Sequence, residues 1–369
     1  MKVLLLLYYQ YSTNDYIKDG AKAACWAIRN LASATAFNYS LLAATKVCEA
    51  TMFIANKYTN SSDSNDMKEE IAWLIATLSC DKELSERLGS LEACPLILRL
   101  LVEKLEILDL VADSTYVEAL SSVLLLLLPL IRMILIIFIF LQAIRNLCSN
   151  SNSNQLLLGN QGGVEILTSL LAKYVDDVSS STNGINESKY EIDVEAKCKE
   201  DAIDYCVGAL FNMMFDCEDN KNRIANNNTT TTTLILLVTK IFSIYVNSLK
   251  SSRNVIETLM RMMISITTNH LVNRQALITA DSNILSLVVK AMRRYPKDDD
   301  IVRTACEVFI HVHYYTQEQR NELIEKQLLD DQIRVVKLIN NDDDTNNDTN
   351  DNTIEKVITL WNLDSITHT

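Results

Sequence analysis

The chain has 369 residues, 48% of them hydrophobic, with only 7 Gly and 3 Pro. Scarce turn residues and an abundance of Leu and Ile favour long helices over sheets. The net charge is −13, which argues against a nucleic-acid surface because such a surface needs clustered basic residues. An acidic surface suits a basic partner, or serves only to keep an apolar-rich chain soluble.

The first residues, Met1 to Leu7, resemble the start of a signal peptide, but Tyr8 and Tyr9 end the apolar run and no cleavage site follows. Residues 1–14 therefore have no clear assignment. The first helical pattern, residues 17–32, lacks the two helices that should precede it in a repeat, so we expect a truncated N-terminus.

The chain holds 9 cysteines, an odd number without a CxxC motif. This spacing predicts free, buried thiols in a reducing compartment. We therefore expect the protein in the cytoplasm, with the nucleus as an alternative.

One polar residue recurs inside an apolar pattern along the chain, and we number positions from it. Around Asn212, for example, positions −6, −3, −2 and +1 are Cys206, Ala209, Leu210 and Met213. That spacing predicts a helix that is buried along one face. The six zero positions are Asn30, Thr77, Asn146, Asn212, Ser265 and His311. Their shortest intervals lie near the armadillo or HEAT period of about 40–47 residues.

The segment Asn154–Leu171 contains Gly162 and Gly163 between two apolar stretches. It resembles the first and second helices of an armadillo repeat, which meet at a glycine corner; Leu88-Gly89-Ser90 is a looser version. The resemblance to the armadillo (HEAT-like) family implies an all-α, right-handed α-solenoid of about six repeats over residues 15–338. Polar insertions at 176–195 and 225–233 account for two long intervals. Residues 339–353 are predicted to be a disordered acidic linker, and 354–369 a short helix or tail.

Residues 121–141 contain a nearly continuous apolar run, interrupted by Pro129 and Arg132. Removing them would join two halves of an intact third helix. Three interpretations stay open: an insertion or gene-model artefact, a long buried helix, and a membrane span.

No catalytic motif stands out: the chain lacks a glycine-rich phosphate loop, HExxH and GxSxG. His311 and His313 are two residues apart on a predicted helix, so they point in different directions and do not form a metal pair. We expect no enzyme activity, no cofactor and no metal site.

Positions −4 and 0 lie one turn apart, away from the buried stripe. The resemblance implies that these pairs line a concave groove of third helices, where an Asn amide can hold a peptide backbone and a Trp can cover a cation. Asn at position 0 can equally tie neighbouring repeats together. The pairs are Trp26 with Asn30, Trp73 with Thr77, Gln142 with Asn146, Gly208 with Asn212, Arg261 with Ser265, and Glu307 with His311.

These features predict a monomeric, non-catalytic protein-interaction scaffold. Its expected partner is a protein or an extended peptide, with a basic peptide as one option, and not a nucleic acid. Two alternatives remain. The Trp26/Asn30 spacing resembles the arrays of nuclear-import receptors, although Trp and Asn coincide only once. A membrane-anchored adaptor would use residues 123–141.

Overall fold

The computed structural model describes residues 17–59, 65–113, 123–149, 151–181, 194–226, 228–248, 252–281 and 284–313. The N-terminal segment 1–14, the linker 339–353, the tail 354–369 and the middle of the insertion 176–195 lie outside these residues. So do the side chains of residues 225–233, although the backbone of residues 228–233 forms part of a helix.

The described residues form sixteen α-helices and no strand. The first nine are α1 (Ile17–Ala34), α2 (Ala36–Ala43), α3 (Val47–Tyr58), α4 (Asn65–Leu78), α5 (Lys82–Ser90), α6 (Ala93–Asp113), α7 (Val123–Cys148), α8 (Asn152–Asn160) and α9 (Gly163–Ser181). The remainder are α10 (Val194–Met214), α11 (Glu218–Asn226), α12 (Asn228–Asn247), α13 (Arg253–Thr267), α14 (Leu271–Ala280), α15 (Ile284–Arg294) and α16 (Asp299–His313).

After α1 the helices follow in threes, each set having a first helix of eight to ten residues. The third helices are α4, α7, α10, α13 and α16, and α1 corresponds to them. Each carries one of the predicted zero positions. The all-α prediction and the division into repeats are confirmed.

The predicted corner at Gly162 is present, with a φ of 79° that glycine adopts without steric cost. The corresponding corner after α5 is not at Gly89, as the sequence suggested, but at Glu92, whose φ is 70°. Gly89 lies inside α5, where a Cβ would sit 1.7 Å from Asn154 Oδ1. Gly89 therefore provides room for a close helix contact.

The apolar stripe is buried in the third helices that follow α1. All four stripe residues around Thr77, Asn146, Asn212 and Ser265 are buried, as are the three described ones around His311. A fully buried aliphatic side chain contributes about 1.5–3 kcal/mol, so this stripe is a main source of stability within each repeat.

Helix α1 departs from the template. Its buried side chains are those of Ala21, Ala24, Cys25, Ile28 and Ala32, while Ala27 and Leu31 are only partly buried. The described contacts of α1 are with α2 and α4, so the buried stripe is rotated towards these neighbours. The sequence prediction is correct for Ala24 and Ile28 and wrong for Ala27 and Leu31.

The apolar run at 121–141 continues directly into third helix α7. Ile136, Ile137, Phe140 and Leu141 are buried, with Phe140 at the predicted −6 position. The last part of the run therefore supplies core residues, whereas the side chains of residues 123–134 are outside what the structure describes. In the described part of the chain, no helix is both long and apolar enough to cross a membrane.

The eight cysteines with described side chains are all free. Cys80 is exposed, contrary to the prediction of burial, because it lies just after the end of α4. Burial raises the pKa of Cys48 and Cys94 to about 12. These thiols stay protonated and act as apolar core groups.

The chain divides into two compact units. Unit 1 comprises residues 1–167 and 208–213, and unit 2 comprises residues 168–207 and 214–369. The boundary passes through α9 and α10.

Within unit 1, the end of α7 shows what joins successive repeats. The last four carbonyls of a helix have no partner in that helix. Here Arg145 O accepts from Asn212 Nδ2 (2.8 Å), and Asn146 O from Ser149 N (3.1 Å). Leu147 O accepts from Asn154 Nδ2 (2.9 Å) and Cys148 O from Gln155 Nε2 (3.1 Å). Side chains of neighbouring helices therefore satisfy three of these four carbonyls, and the residue that follows α7 satisfies the fourth.

Unit 2 repeats this arrangement at the end of α13. Asn273 Nδ2 donates to Ile266 O (3.1 Å), Arg274 to Thr267 O (3.4 Å) and Lys221 Nζ to Thr268 O (3.0 Å). Asn273 stands eight residues after Ser265, as Asn154 stands eight after Asn146. Both asparagines are at most 1% exposed, so their hydrogen bonds are made away from water.

Replacing Asn154 with Ala should destabilise the protein strongly. Asn154 Nδ2 also donates to Ser85 O (3.0 Å), so its loss leaves buried carbonyls with fewer donors, at a cost of about 2–4 kcal/mol. Urea unfolding followed by circular dichroism measures this change. Asn152→Ala, at an exposed position of the same helix, is the control and should change stability by less than about 0.5 kcal/mol; equal effects would contradict the assignment.

Candidate partner-binding face

In unit 1, the third helices α1 and α4 carry two exposed tryptophans at the same repeat position. Trp26 is 57% exposed and Trp73 is 44% exposed. Both stand at −4, on the side of the helix away from the buried stripe. Large aromatic side chains at this level of exposure are typical of interaction surfaces.

Trp73 is already in contact with a cation from its own chain. The Arg29 guanidinium carbon lies 5.2 Å from the centroid of the Trp73 ring, and Arg29 Nη1 pairs with Glu70 Oε2 at 3.1 Å. The sequence predicted that a Trp at −4 could cover a cation, but it did not identify Arg29. Its position, one residue before the zero position of the preceding repeat, was the missed signal.

The zero positions of unit 1 fall into two classes. Asn146 Nδ2 donates to Ala76 O of the preceding third helix (2.7 Å), as Asn212 donates to Arg145 O. Asn146 Oδ1 accepts from Gln142 Nε2 (2.7 Å). These two asparagines tie adjacent repeats together, which is the structural role that the sequence left open.

Asn30 and Thr77 differ from them. Asn30 is exposed, and no side-chain hydrogen bond of Asn30 to another described residue is present. Thr77 Oγ1 donates to Trp73 O within its own helix (2.9 Å). The Asn30 amide is therefore available to a partner.

In unit 2, the predicted pairs lie on α13 and α16, which pack against each other. Ser265 is 3% exposed, because it lies beside the buried stripe. The sequence prediction that Ser265 lies on a partner-binding surface is therefore wrong. Arg261 is exposed and pairs with Glu257 Oε1 at 2.5 Å. Glu307 is exposed too.

His311 is partly buried and belongs to a polar cluster between first and third helices of unit 2. Its Nδ1 lies 3.4 Å from Thr268 Oγ1. Nearby His270 accepts from Asn273 N at Nδ1 (3.3 Å) and contacts Asn222 Oδ1 through Nε2 (3.1 Å), an arrangement that requires a neutral ring. Burial lowers the pKa of both histidines, helped by Arg274 at His311 and opposed by Glu218 at His270.

No group of three or more His, Cys, Asp or Glu residues capable of holding a metal is present in the described part of the chain. The candidate face of unit 1 carries the Trp26 and Trp73 indoles, the Asn30 amide and the Arg29 guanidinium. Groups of these types are able to stack on and hydrogen-bond to a ligand.

The two classes of asparagine predict different mutational effects. Asn146→Ala and Asn212→Ala should each cost about 1 kcal/mol of unfolding free energy because each removes an inter-repeat hydrogen bond. Asn30→Ala should cost less than about 0.5 kcal/mol. Urea titrations of the three variants measure this, and a destabilising Asn30→Ala would contradict the division.

The histidine cluster predicts loss of stability in mild acid. Because the folded-state pKa of His270 lies below the ordinary value of 6.5, its contribution is complete above pH 6.5 and is lost as the pH falls towards the folded-state value. The melting temperature should therefore decrease as the pH is lowered from about 7.5 to about 5.5. His270→Ser, which keeps an N-cap acceptor without titrating, should flatten this dependence; an unchanged slope would rule out His270 as its source.

A scan against known protein families and a search of curated proteins both find no match. Solved structures do match. An engineered protein has a TM-score of 0.55 at 13% identity, over 85% of this chain and 97% of that chain. A designed armadillo repeat protein has a TM-score of 0.53 at 15% identity, over 84% of this chain and 99% of that one.

A second designed armadillo repeat protein, in complex with the peptide (KR)4, has a TM-score of 0.51 at 16% identity, over 84% of this chain and 99% of that one. At such identities the likeness establishes the fold and nothing finer. The chain therefore has an armadillo-like repeat fold, an all-α solenoid of about six repeats.

Proposed function

We propose that this chain is a non-catalytic scaffold that binds a protein or an extended peptide against the third helices of unit 1. The observation that carries the proposal is the pair of exposed tryptophans, Trp26 and Trp73, at equal positions of successive repeats. Nothing in the packing of a repeat requires an exposed indole at −4. Indoles contribute strongly to binding when a partner covers them.

The neighbouring polar groups suit an extended peptide. The Asn30 amide both donates and accepts, as required to pair with a peptide backbone. Asn30 stands one helical turn from Trp26, so one peptide residue can stack on the indole while its backbone reaches the amide. A designed protein of the same fold holds a peptide, which supports peptide binding as the type of interaction.

The proposal includes three further points. The chain acts without catalysis, since its candidate face offers stacking and hydrogen bonding rather than a nucleophile with a base. It works as a monomer, and in a reducing compartment such as the cytoplasm, in keeping with its eight free described cysteines.

Selection of random twelve-residue peptides on the full chain tests the proposal. The selected peptides should bind at least about tenfold more weakly to Trp26→Ala and Trp73→Ala, equivalent to the loss of about 1.4 kcal/mol. Fluorescence anisotropy with the purified variants provides the affinities.

Phe53→Ala is the matched control, because Phe53 is 48% exposed but lies on second helix α3. Its binding should equal that of the unmodified chain. Peptides that depend on Phe53 and are indifferent to both tryptophans would refute the proposed face.

A further inference from the structure

The guanidinium of Arg145, on α7 in unit 1, lies directly against the backbone of Gly208 on α10. A Cβ built on Gly208 would sit 3.3 Å from Arg145 Cζ and Nε and 3.4 Å from Nη1. These distances are shorter than an ordinary van der Waals contact of a methyl carbon. The absence of a side chain at Gly208 is therefore what lets Arg145 lie across the third helix of the next repeat.

Arg145 and Arg29 occupy the same repeat position, one residue before the zero positions Asn146 and Asn30. Each lies over the −4 residue of the following third helix, which is Trp73 for Arg29 and Gly208 for Arg145. This geometry therefore recurs within unit 1.

The two arginines differ in charge compensation. Arg29 pairs with Glu70, which stands three residues before Trp73. The residue three before Gly208 is Tyr205, which supplies no carboxylate. Among the described residues, no ion pair or side-chain hydrogen bond of Arg145 is found, and Arg145 is partly exposed. A guanidinium with five N–H donors is thus held in place without an acceptor from the described part of the chain.

Two amide side chains, those of Gln142 and Asn212, adjoin Arg145 in sequence or through its backbone. Gln142 precedes Arg145 by three residues on the same helix, so their side chains are neighbours. Gln142 Nε2 uses one hydrogen for Asn146 Oδ1, and Asn212 Nδ2 uses one for Arg145 O. Each NH₂ carries a second N–H, so both amides have one further donor to offer a ligand at Arg145. Such a set of donors matches a carboxylate.

A basic ligand has less to pair with in unit 1. Lys22 pairs with Asp66 (3.5 Å) and Arg29 with Glu70 (3.1 Å), so these two acids of α4 are already neutralised. The electron-rich ring of Trp73, which could attract a cation from a ligand, is likewise already in contact with Arg29. The basic partner expected from the sequence stays a prediction, and this part of the face favours an acidic group instead.

We infer that Arg145, whose guanidinium lies against Gly208, is a subsite for the carboxylate of an Asp or Glu side chain in the bound partner, with Gln142 one turn away on the same helix. The inference rests on the proposed function, because it assigns a residue preference to the same row of third helices. Long-range repulsion from the acidic chain is screened beyond about 8 Å at physiological ionic strength, so the local contact decides.

Three fluorescent octapeptides, in which Ala alternates with Glu, Gln or Lys, test the subsite by anisotropy with the full chain. The Glu peptide should bind about tenfold more tightly than the Gln peptide, and more tightly than the Lys peptide. Arg145→Gln should remove this preference. Gly208→Ala should reduce it severalfold, because the new methyl displaces the guanidinium while Ala favours the helix.

Arg99→Gln is the charge-matched control, because Arg99 is exposed on second helix α6 and donates to Thr59 Oγ1; it should keep the preference. Equal binding of the Glu and Gln peptides, a preference that survives Arg145→Gln, or no binding of the Glu peptide would each overturn the inference. A Gln peptide that still binds and is lost on Trp73→Ala would leave the scaffold function standing. Peptide binding that is independent of both tryptophans would contradict both the proposed scaffold function and the carboxylate subsite.

Discussion

The structure depends on how the carbonyl groups at the end of each third helix are satisfied. Those groups are buried between repeats, where an unpaired carbonyl is costly. In unit 1, Asn212, Asn154 and Gln155 donate to the end of α7, and in unit 2, Asn273, Arg274 and Lys221 donate to the end of α13. The apolar stripe holds the helices together without setting their exact register. The side-chain donors set it, because each must reach one particular carbonyl.

This constraint separates structural from available polar groups on the third helices. An asparagine at position 0 that has a preceding third helix beside it, such as Asn146 or Asn212, bonds to that helix. Asn30 has no described third helix before it and remains exposed. The same step from one repeat to the next places Arg29 over Trp73 and Arg145 over Gly208. The third-helix groups available to the proposed partner are therefore mainly those N–H and C=O groups that the inter-repeat bonds leave unused.

Sequence reasoning predicted the helices, the repeat and most of the buried stripe, because these follow from local periodicity. It also placed Gly162 at a corner. It missed the role of Gly89, since the neighbour that needs its space, Asn154, lies in the next repeat. It could not separate Asn30 from Asn146, because the two have similar local sequences and differ only in what packs against them. Ser265 likewise matched the template but is buried.

Hydrogen exchange of asparagine side-chain NH₂ groups, measured by NMR on selectively labelled protein, tests the central claim most directly. The account predicts slow exchange for Asn154, Asn212 and Asn273, whose amides are bonded to carbonyls between helices, and exchange at the free-amide rate for Asn30. Single Asn→Asp variants would assign the signals. If Asn154 and Asn212 exchanged as fast as Asn30, the side chains would not be holding the helix ends, and the account would be contradicted.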